Sequence, residues 1–540
     1  MKKILALFLV MTFVFSLLAG CGPTDTPPPP PPQQGAGAGG AAPPPTGGDA
    51  QAPAGETHLQ LVQPMMPTNF DPVLQSEVPA SRAIALIYNT LVYQDENMNI
   101  VPGLASSWEF LDSQNVVFTI REGVRFHNGN ILTAEDVVFS LNRAGNSPHV
   151  SAIMNFIQEA VALDDHTVQL TTYFPFAPML AHLAHTASSI VNKAEVERIG
   201  DDAHGQAPVG TGPFRFHNHV AGDRFELVRF EEFNSVKPGL APGQLPALEH
   251  LTFRIVPEPG VRTIELETGS AHVLIDVGAT EVARIRDHAE LTMFEIPNFA
   301  VNTWFGFNHG KEPFNDLRVR QAIAYALDIE AIVDVAWAGL GKVARGTLPT
   351  TVSGAQVFPI HPINVERARE LMAEAGHPDG FTIDLWTNEG NAMRADAATM
   401  IQAQLRALNI ETNIRIYEWG VLLPGTAAGE HHAWLGGWTT STGEADYGLY
   451  PLFHTSNFGD AGNRFFYSNA RVDYLIDFAR SNTDWPTRYE AYREVQQILH
   501  DEMVHIPLWQ AAELHAASNR IGGVDINAAG HLRLWSAYFR

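Results

Sequence analysis

The segment from Phe381 to Tyr417 constrains the fold of this chain more than any other part of the sequence. Its pattern predicts a strand over 381–386, a helix over 393–408 and a strand over 410–417. The apolar residues of the helix fall on one face: Met393, Ala397, Met400, Ile401, Leu405 and Leu408. In the second strand the alternating residues are Ile410, Thr412, Ile414 and Ile416. Two strands joined through one helix by short links form a parallel pair with a right-handed crossover, so the sequence predicts an α/β fold.

Other segments show the same mixture of strands and helices. Residues 116–120 (VVFTI) and 167–172 (TVQLTT) are rich in β-branched residues and predict strands. Between them, Thr133 precedes a helical pattern and Asp136 follows three residues later, an arrangement typical of a capping box. Asp484, with a proline two residues later, marks the start of another helix. The chain shows no internal repeat, which favours α/β lobes over a solenoid.

The N-terminus has the layout of a secretory signal peptide. Two lysines precede an apolar run from Ile4 to Leu18, which is shorter than the roughly 20 residues that a membrane-spanning helix needs. The run ends at LLAGC, and Cys21 is the only cysteine of the chain. This motif resembles a bacterial lipobox, which implies removal of residues 1–20 and lipidation of Cys21. The alternative is an ordinary cleaved signal that leaves a free thiol.

Residues 22–55 consist almost entirely of Pro, Gly, Ala, Gln and Thr, a composition that cannot bury an apolar core. We interpret residues 21–55 as a lipidated cysteine and a disordered linker that tethers the protein to the extracytoplasmic face of the cell membrane. The remaining body contains no cysteine, so its stability depends on a large core and not on disulfides. The net charge of −25 argues against nucleic acid as a partner.

Several segments of the body, taken in order, resemble one family. The block from Ile87 to Ala144, which begins IYNTLVYQDENMNIVPGLASSWEF, is similar to the signature region of the peptide/nickel class of solute-binding proteins of ABC importers. Similar segments follow at 209–216 (VGTGPFRF), 307–328 (FNHGKEPFNDLRVRQAIAYALD) and 506–510 (IPLWQ). Within the family, the segment 437–453 (GWTTSTGEADYGLYPLF) most resembles the glutathione-binding branch and its small-peptide relatives.

This resemblance implies a two-lobed fold of the periplasmic-binding-protein type II (Venus-flytrap) class with an extra α/β subdomain. The first lobe would comprise residues 57–100, 209–300 and 513–540, the subdomain residues 101–208, and the second lobe residues 301–512. The implied function is to capture a small peptide or glutathione-like ligand between the lobes and to deliver it to the permease and ATPase subunits of an ABC importer. Such a protein is expected to act as a monomer, without enzymatic activity and without a cofactor.

The resemblance also points to candidate ligand-binding residues. In dipeptide and oligopeptide binders an Asp shortly after the Gly-Trp pair holds the amino group of the peptide, whereas this chain has Ser441 there. Two alternatives follow: Glu444 or Asp446 pairs with the amine, or Ser441 and Thr442 hydrogen-bond a ligand carboxylate, as a γ-glutamyl group would allow. For the two acids, turn and capping chemistry in a Gly-rich loop is the structural alternative.

Four further side chains complete the predicted site. A guanidinium pairs with a carboxylate through two parallel hydrogen bonds, which makes Arg394 a candidate for the ligand carboxylate; its alternative is a solvated arginine at a helix end. Trp419, Trp438 and Tyr447 are candidates for the walls of the pocket, because aromatic rings line most small-molecule sites. Packing in the core would explain each of the three rings as well.

Three other functions compete with this one. Relatives bind nickel complexes or haem, and the chain has 22 histidines, but the adjacent His431 and His432 would point to opposite faces of a strand, and we predict no metal ligands. An enzyme such as a secreted hydrolase would need a catalytic motif, and GxSxG, HExxH and a strand-linked GxGxxG are missing from the sequence. A structural surface protein would have no ligand cleft. The family resemblance favours the solute-binding function over all three.

Overall fold

The structure, a computed structural model, describes residues 56–540 except residues 76, 96–98, 242, 297–300, 460–461, 511–512 and 527–531. The predicted signal peptide, Cys21 and the linker lie outside the described residues. Within the described part of the chain, no helix combines the length and the apolar character that crossing a membrane requires.

Strands occur along the whole described chain. In chain order they are β1 (His58–Gln63), β2 (Val92–Gln94), β3 (Ile100–Pro102), β4 (Ala105–Phe110), β5 (Asn115–Ile120), β6 (Ile157–Asp164), β7 (Thr167–Thr172), β8 (Phe214–Val220), β9 (Arg224–Arg229), β10 (His250–Ile255), β11 (Val273–Leu274), β12 (Leu291–Ile296), β13 (Val301–Phe307), β14 (Lys342–Val343), β15 (Thr382–Asn388), β16 (Glu411–Tyr417), β17 (Ala433–Thr439), β18 (His505–Gln510), β19 (Glu513–Ser518), β20 (Ile521–Gly522), β21 (Asp525–Ile526), β22 (Leu532–Arg533) and β23 (Tyr538–Phe539).

Helices alternate with these strands, as an α/β fold requires. In chain order they are α1 (Val78–Ile87), α2 (Ala134–Gly145), α3 (Ser151–Met154), α4 (Met179–Leu183), α5 (Lys193–Ile199), α6 (Asp201–His204), α7 (Pro259–Glu267), α8 (Val282–Arg286), α9 (Leu317–Ala326), α10 (Ile329–Ala336), α11 (Val365–Glu374), α12 (Ala392–Leu405), α13 (Trp419–Ala427), α14 (Ala445–Phe453), α15 (Ala470–Ser481) and α16 (Trp485–Asp501).

Three sheets carry the architecture. A seven-stranded sheet has the order β12-β19-β11-β1-β10-β9-β8, a six-stranded sheet the order β14-β18-β13-β17-β15-β16, and a four-stranded sheet the order β4-β5-β7-β6. The strands of these sheets come from the residues predicted for the first lobe, the second lobe and the subdomain, respectively. The boundaries between the three parts stay a prediction, and β3, which pairs with β2, runs across the predicted boundary at residue 100.

The parallel unit predicted from residues 381–417 is present. β15 and β16 pair in parallel along their full lengths, and α12 connects them. The helix buries three of the predicted residues in the core, where a buried side chain of leucine size contributes about 1.5–3 kcal/mol: Ala397, Ile401 and Leu405. The predicted alternation fails at the end of β16, where Ile416 is 53% exposed, because β16 is the edge strand of its sheet.

Hydrogen bonds confirm two predicted helix starts. At α2 the backbone N–H and the hydroxyl of Thr133 both donate to Asp136 Oδ2, each at 3.0 Å. At α16 Asp484 Oδ2 accepts from the N–H of Thr487 at 3.1 Å, and Pro486 lies in the first turn. Such caps satisfy polar groups that have no partner inside the helix, and each stabilises by about 0.5–2 kcal/mol.

The chain passes twice between the two larger sheets. β12 belongs to the seven-stranded sheet and β13 to the six-stranded sheet, whereas β18 belongs to the six-stranded sheet and β19 to the seven-stranded sheet. Paired crossings of this kind form the hinge of a two-lobed fold. Because of these crossings, the strand ends on one side of the seven-stranded sheet lie near the strand ends on one side of the six-stranded sheet.

Candidate ligand-binding cleft

The two larger sheets meet along the edges where the chain passes between them. On the seven-stranded sheet this edge contains the carboxyl ends of β1 and β11 and the start of β19; on the six-stranded sheet it contains the carboxyl ends of β15, β17 and β18. A hydrogen bond joins the two sides, because Gln94 Nε2 donates to Thr442 O at 2.9 Å. Ligands of open α/β sheets bind outside the carboxyl ends of the strands. This edge is therefore the candidate cleft.

Arg394 lies at this edge, in the first turn of α12. Its backbone N–H is capped by Asn391 Oδ1 at 3.0 Å, and its guanidinium Nη1 donates to Asn388 Oδ1, at the end of β15, at 2.8 Å. Its Nε is buried and has no hydrogen-bond partner in the part of the chain that the structure describes. Burial lowers the pKa of Arg394 to about 10 and is the sole cause of the shift. Among the described residues, no carboxylate compensates this charge.

Arg320 shows how a buried arginine is satisfied when its role is structural. Burial is again the main cause that lowers its pKa to about 10. Its guanidinium, however, donates to the main-chain carbonyl groups of Phe314, Glu502 and Met503. The guanidinium of Arg394, in contrast, donates to one acceptor, the side-chain oxygen of Asn388. A guanidinium with free donors matches a carboxylate in a bidentate arrangement, so the Arg394 site suits a carboxylate of the ligand.

A glycine in β17 makes room for this guanidinium. A Cβ atom built on Gly437 would lie 2.9 Å from Arg394 Nη2. Non-bonded carbon and nitrogen atoms do not approach so closely, so a larger residue at 437 would displace the guanidinium. Gly437, the first residue of the Gly-Trp pair, thus leaves room for Arg394 beside the end of β17.

Ser441 and Thr442 follow directly after β17. Thr442 is buried, its Oγ1 has no hydrogen-bond partner, and its carbonyl oxygen accepts the bond from Gln94 across the cleft. Ser441 is half-buried. The structure brings both residues to the sheet edge that also holds Arg394. Both hydroxyl groups stay predicted contacts for a ligand carboxylate.

Glu444 and Asp446 have partners within the protein. Glu444 forms an ion pair with Arg488. Asp446 is buried, with Arg480 Nε 3.1 Å from one carboxylate oxygen and His182 Nε2 3.6 Å from the other, and burial raises its pKa. Both acids therefore already have a cationic partner within the protein. The geometry favours the structural alternative for both acids.

The three candidate aromatic residues occupy different surroundings. Trp438 Nε1 donates to Tyr447 O at 2.7 Å, and the two rings pack with centroids 5.2 Å apart. The Tyr447 ring also lies 5.9 Å from that of His182, in the subdomain. Trp419 begins α13 and is 44% exposed. Trp438 lies next to Gly437 and packs on Tyr447, which also contacts His182; all three aromatic residues stay predicted ligand contacts.

Two amide side chains at the cleft edge are not indicated by the sequence analysis. Asn302 Nδ2 donates to the carbonyl groups of Gly346 and Thr347, while its Oδ1 is buried without a partner. Gln510 Oε1 accepts from Thr350, while its Nε2 is buried without a partner. Because buried amides are normally satisfied, these free ends are candidates for ligand contacts. The available signal in the sequence is the position of Gln510 at the end of the motif IPLWQ.

Comparison with known proteins decides the family. The profile of the bacterial extracellular solute-binding proteins, family 5 Middle, matches residues 99–460, which is more than half of the chain. The chain belongs to this family. Both Arg394 and the Gly-Trp segment of this family 5 solute-binding protein lie within the matched region.

Its relatives include a glutathione-binding and a dipeptide-binding protein. The glutathione-binding protein GsiB of Pectobacterium atrosepticum is 30% identical over 440 residues, which cover 79% of this chain and 84% of the relative. The dipeptide-binding protein of Escherichia coli (strain K12) is 28% identical over 501 residues, which cover 86% of this chain and 91% of the relative. These matches confirm the predicted resemblance to the peptide and glutathione branches.

A solved structure confirms the predicted fold class. The ABC transporter-associated periplasmic binding protein DppA from Helicobacter pylori, in complex with the peptide STSA, superposes with a TM-score of 0.82 at 25% identity. The alignment covers 89% of this solute-binding protein and 98% of DppA. The chain therefore has the two-lobed type II fold of the periplasmic binding proteins. The individual ligand-binding residues stay predictions.

Proposed function

We propose that this solute-binding protein captures a small peptide or glutathione-like ligand between its lobes and delivers it to the permease and ATPase subunits of an ABC importer. The observation that carries the proposal is Arg394, a half-buried residue whose Nε is buried and which pairs with no carboxylate among the described residues. A buried charge without a partner is costly unless a ligand supplies the partner. The ligands named for its relatives, glutathione, dipeptides and the peptide STSA, all carry carboxylates.

The two lobes would close on this ligand. A ligand that contacts both sides favours the closed arrangement, in which Gln94 of the first lobe bonds Thr442 of the second. The free energy available for closure equals the difference in ligand affinity between the closed and open forms. An extended peptide would satisfy its main-chain groups by adding beside the chain that follows β17. The ligand is bound and released unchanged, without catalysis.

The proposal includes the location and the domain division predicted from the sequence. Cys21 would carry a diacylglyceryl group, which with two acyl chains retains a protein at the membrane where one chain holds it only marginally. The monomeric protein would then act at the extracytoplasmic face of the membrane, at the end of the linker. The first lobe, the subdomain and the second lobe keep the boundaries stated above.

Ligand-dependent stabilisation tests the proposed function. Thermal unfolding of the mature protein is measured with glutathione, with di- to pentapeptides, with a nickel–histidine complex and with haem. We expect stabilisation by glutathione or by at least one peptide, about 2.7 kcal/mol at 100 times its Kd, and recovery of the compound unchanged. Stabilisation by nickel or haem alone, or no stabilisation by any compound, would contradict the ligand class. Hydrolysis of a compound would indicate an enzyme instead.

A further inference from the structure

A cluster of polar side chains lies on the cleft edge of the first lobe. Asp276 follows β11, and Glu513 and His515 lie at the start of β19, next to the crossing between the lobes. One ligating atom from each of these residues lies within 4.8 Å of the others. Arg394 lies on the corresponding edge of the second lobe. The candidate cleft therefore has this polar cluster in the first lobe and Arg394 in the second lobe.

Hydrogen bonding fixes the tautomer of His515. The backbone N–H of Asp276 donates to His515 Nδ1 at 3.2 Å, so Nδ1 carries no proton and the neutral ring has its proton on Nε2. His515 Nε2 lies 3.4 Å from Glu513 Oε1. His515 Nε2 has no hydrogen-bond partner among the described residues, so His515 lies beside the Glu513 carboxylate without bonding it.

Arg82 accounts for three of the four carboxylate oxygens of the cluster. Its guanidinium donates to both oxygens of Asp276, at 3.3 and 3.2 Å, and to Glu513 Oε1. Arg262, the other cation near Asp276, donates to main-chain carbonyl groups and not to these carboxylates. The fourth oxygen, Glu513 Oε2, is buried and has no hydrogen-bond partner among the described residues, and Glu513 as a whole is 7% exposed. The Asp276 side chain, 37% exposed, lies beside it.

We infer that Asp276 and Glu513 bind the cationic end of the ligand, an ammonium group such as the amino end of a peptide, while Arg394 binds its carboxylate. The inference rests on the proposed function and assigns the second charged end of the ligand. A buried carboxylate oxygen without a partner is costly. An ammonium group has three donors and satisfies Glu513 Oε2 and Asp276 together.

Near the Gly-Trp segment of the second lobe the described acids are less accessible than Asp276, since the side chains of Asp446 and Glu444 are 1% and 14% exposed. The position that holds the amine in related dipeptide binders is Ser441 in this chain. Glu444 and Asp446, the nearby acids, pair with Arg488 and Arg480. The amine contact therefore moves to the first lobe, and a ligand with both charged ends would join the two lobes through them.

A divalent metal ion fits this cluster less well than an ammonium group. Arg82 contacts both carboxylates, and its positive charge opposes a second, doubly charged cation at the same oxygens. The proton on His515 Nε2 also blocks that nitrogen as a metal ligand, because metal-binding imidazoles present an unprotonated nitrogen. The cluster thus favours a ligand that donates hydrogen bonds.

The experiment compares ligands that differ only at the amino end. Glutathione, alanyl-alanine and the N-acetyl derivative of each are titrated calorimetrically into the wild-type protein, Asp276→Asn and Glu513→Gln. Asp276 has a φ of 62°, which Asn tolerates as well as Asp, so D276N preserves the backbone and decides the test if E513Q does not fold. Asp396→Asn removes an exposed carboxylate from α12 and is the matched control.

We expect the wild type and D396N to bind at least one free amine at least about tenfold more tightly than its acetylated form. In D276N and E513Q this preference should fall to about twofold or less, with the affinity for the acetylated form unchanged. Equal affinity of the wild type for both forms would overturn the inference, as would variants that lose both forms equally. Zinc or nickel chloride that saturates the wild type but not D276N would assign the cluster to a metal. Failure of the wild type to bind any of the four compounds or any peptide would contradict the proposed function itself.

Discussion

Replacing Arg394 with methionine is expected to weaken binding of glutathione or alanyl-alanine by about 100-fold or more. Truncating one partner of a buried, hydrogen-bonded charge pair costs about 2–5 kcal/mol, and 1.4 kcal/mol corresponds to a factor of ten. R394K keeps the charge without the two parallel donors and should recover part of the affinity. Titration calorimetry measures the change. R406M, which removes an exposed arginine just after the same helix, should bind like the wild type.

The same substitution should have the opposite effect on the ligand-free protein. Arg394 is partly desolvated and pairs with no carboxylate of the described chain, and methionine fills a similar volume without a charge to bury. We therefore expect R394M to unfold at the same or a higher urea concentration than the wild type. A variant that loses stability together with affinity would identify Arg394 as a structural residue and contradict its assignment to the ligand.

Replacing Arg480 with methionine is expected to cost about 3–5 kcal/mol of stability, because it leaves a buried carboxylate without its cation. Arg480 pairs with Asp446 and stacks on the Tyr450 ring, 3.5 Å from its centroid. Its guanidinium also lies 5.3 and 5.1 Å from the rings of Phe174 and Phe176 in the subdomain. The substitution therefore also weakens the contact between the subdomain and the second lobe. Equilibrium unfolding in urea measures the loss.

A double substitution separates the ion pair from general packing. D446N/R480M removes both charges and should be more stable than R480M alone, since no unpaired charge stays buried. Arg493→Met removes an arginine from a half-exposed surface pair with Glu490 and should unfold like the wild type. If D446N folds normally but loses affinity for free-amine ligands, Asp446 contacts the ligand and its structural role is wrong.

Local patterns predict the elements of this fold because neighbouring residues set them. The strand at 167–172, the capping box at Thr133 and the unit at 381–417 depend on side-chain alternation and on bonds that reach three residues. The order of strands in the sheets has a different origin. β1 pairs with β10 and β11, which lie far along the chain, and no local pattern encodes these pairings. The family resemblance supplies that part of the prediction.

The candidate site was predictable where the side-chain chemistry of a residue alone indicates its role. It was not predictable where the role depends on an interaction partner from another part of the chain. An arginine at a helix start suggests a carboxylate site, but only the structure shows that no described carboxylate pairs with Arg394. Glu444 and Asp446 have two alternatives from the sequence, and their arginine partners, later in the chain, favour one of them. Asp276 has no motif at all, because β11 and β19 bring it to Glu513 from a distant part of the chain.

The most direct test of the account is small-angle X-ray scattering of the mature protein with and without ligand. We expect the radius of gyration to decrease when the tightest-binding compound among glutathione and the di- to pentapeptides is added at saturation, because the lobes close around it. R394M should show no decrease at the same ligand concentration. A radius of gyration that stays constant in the wild type at saturation would contradict closure of the two lobes on a ligand.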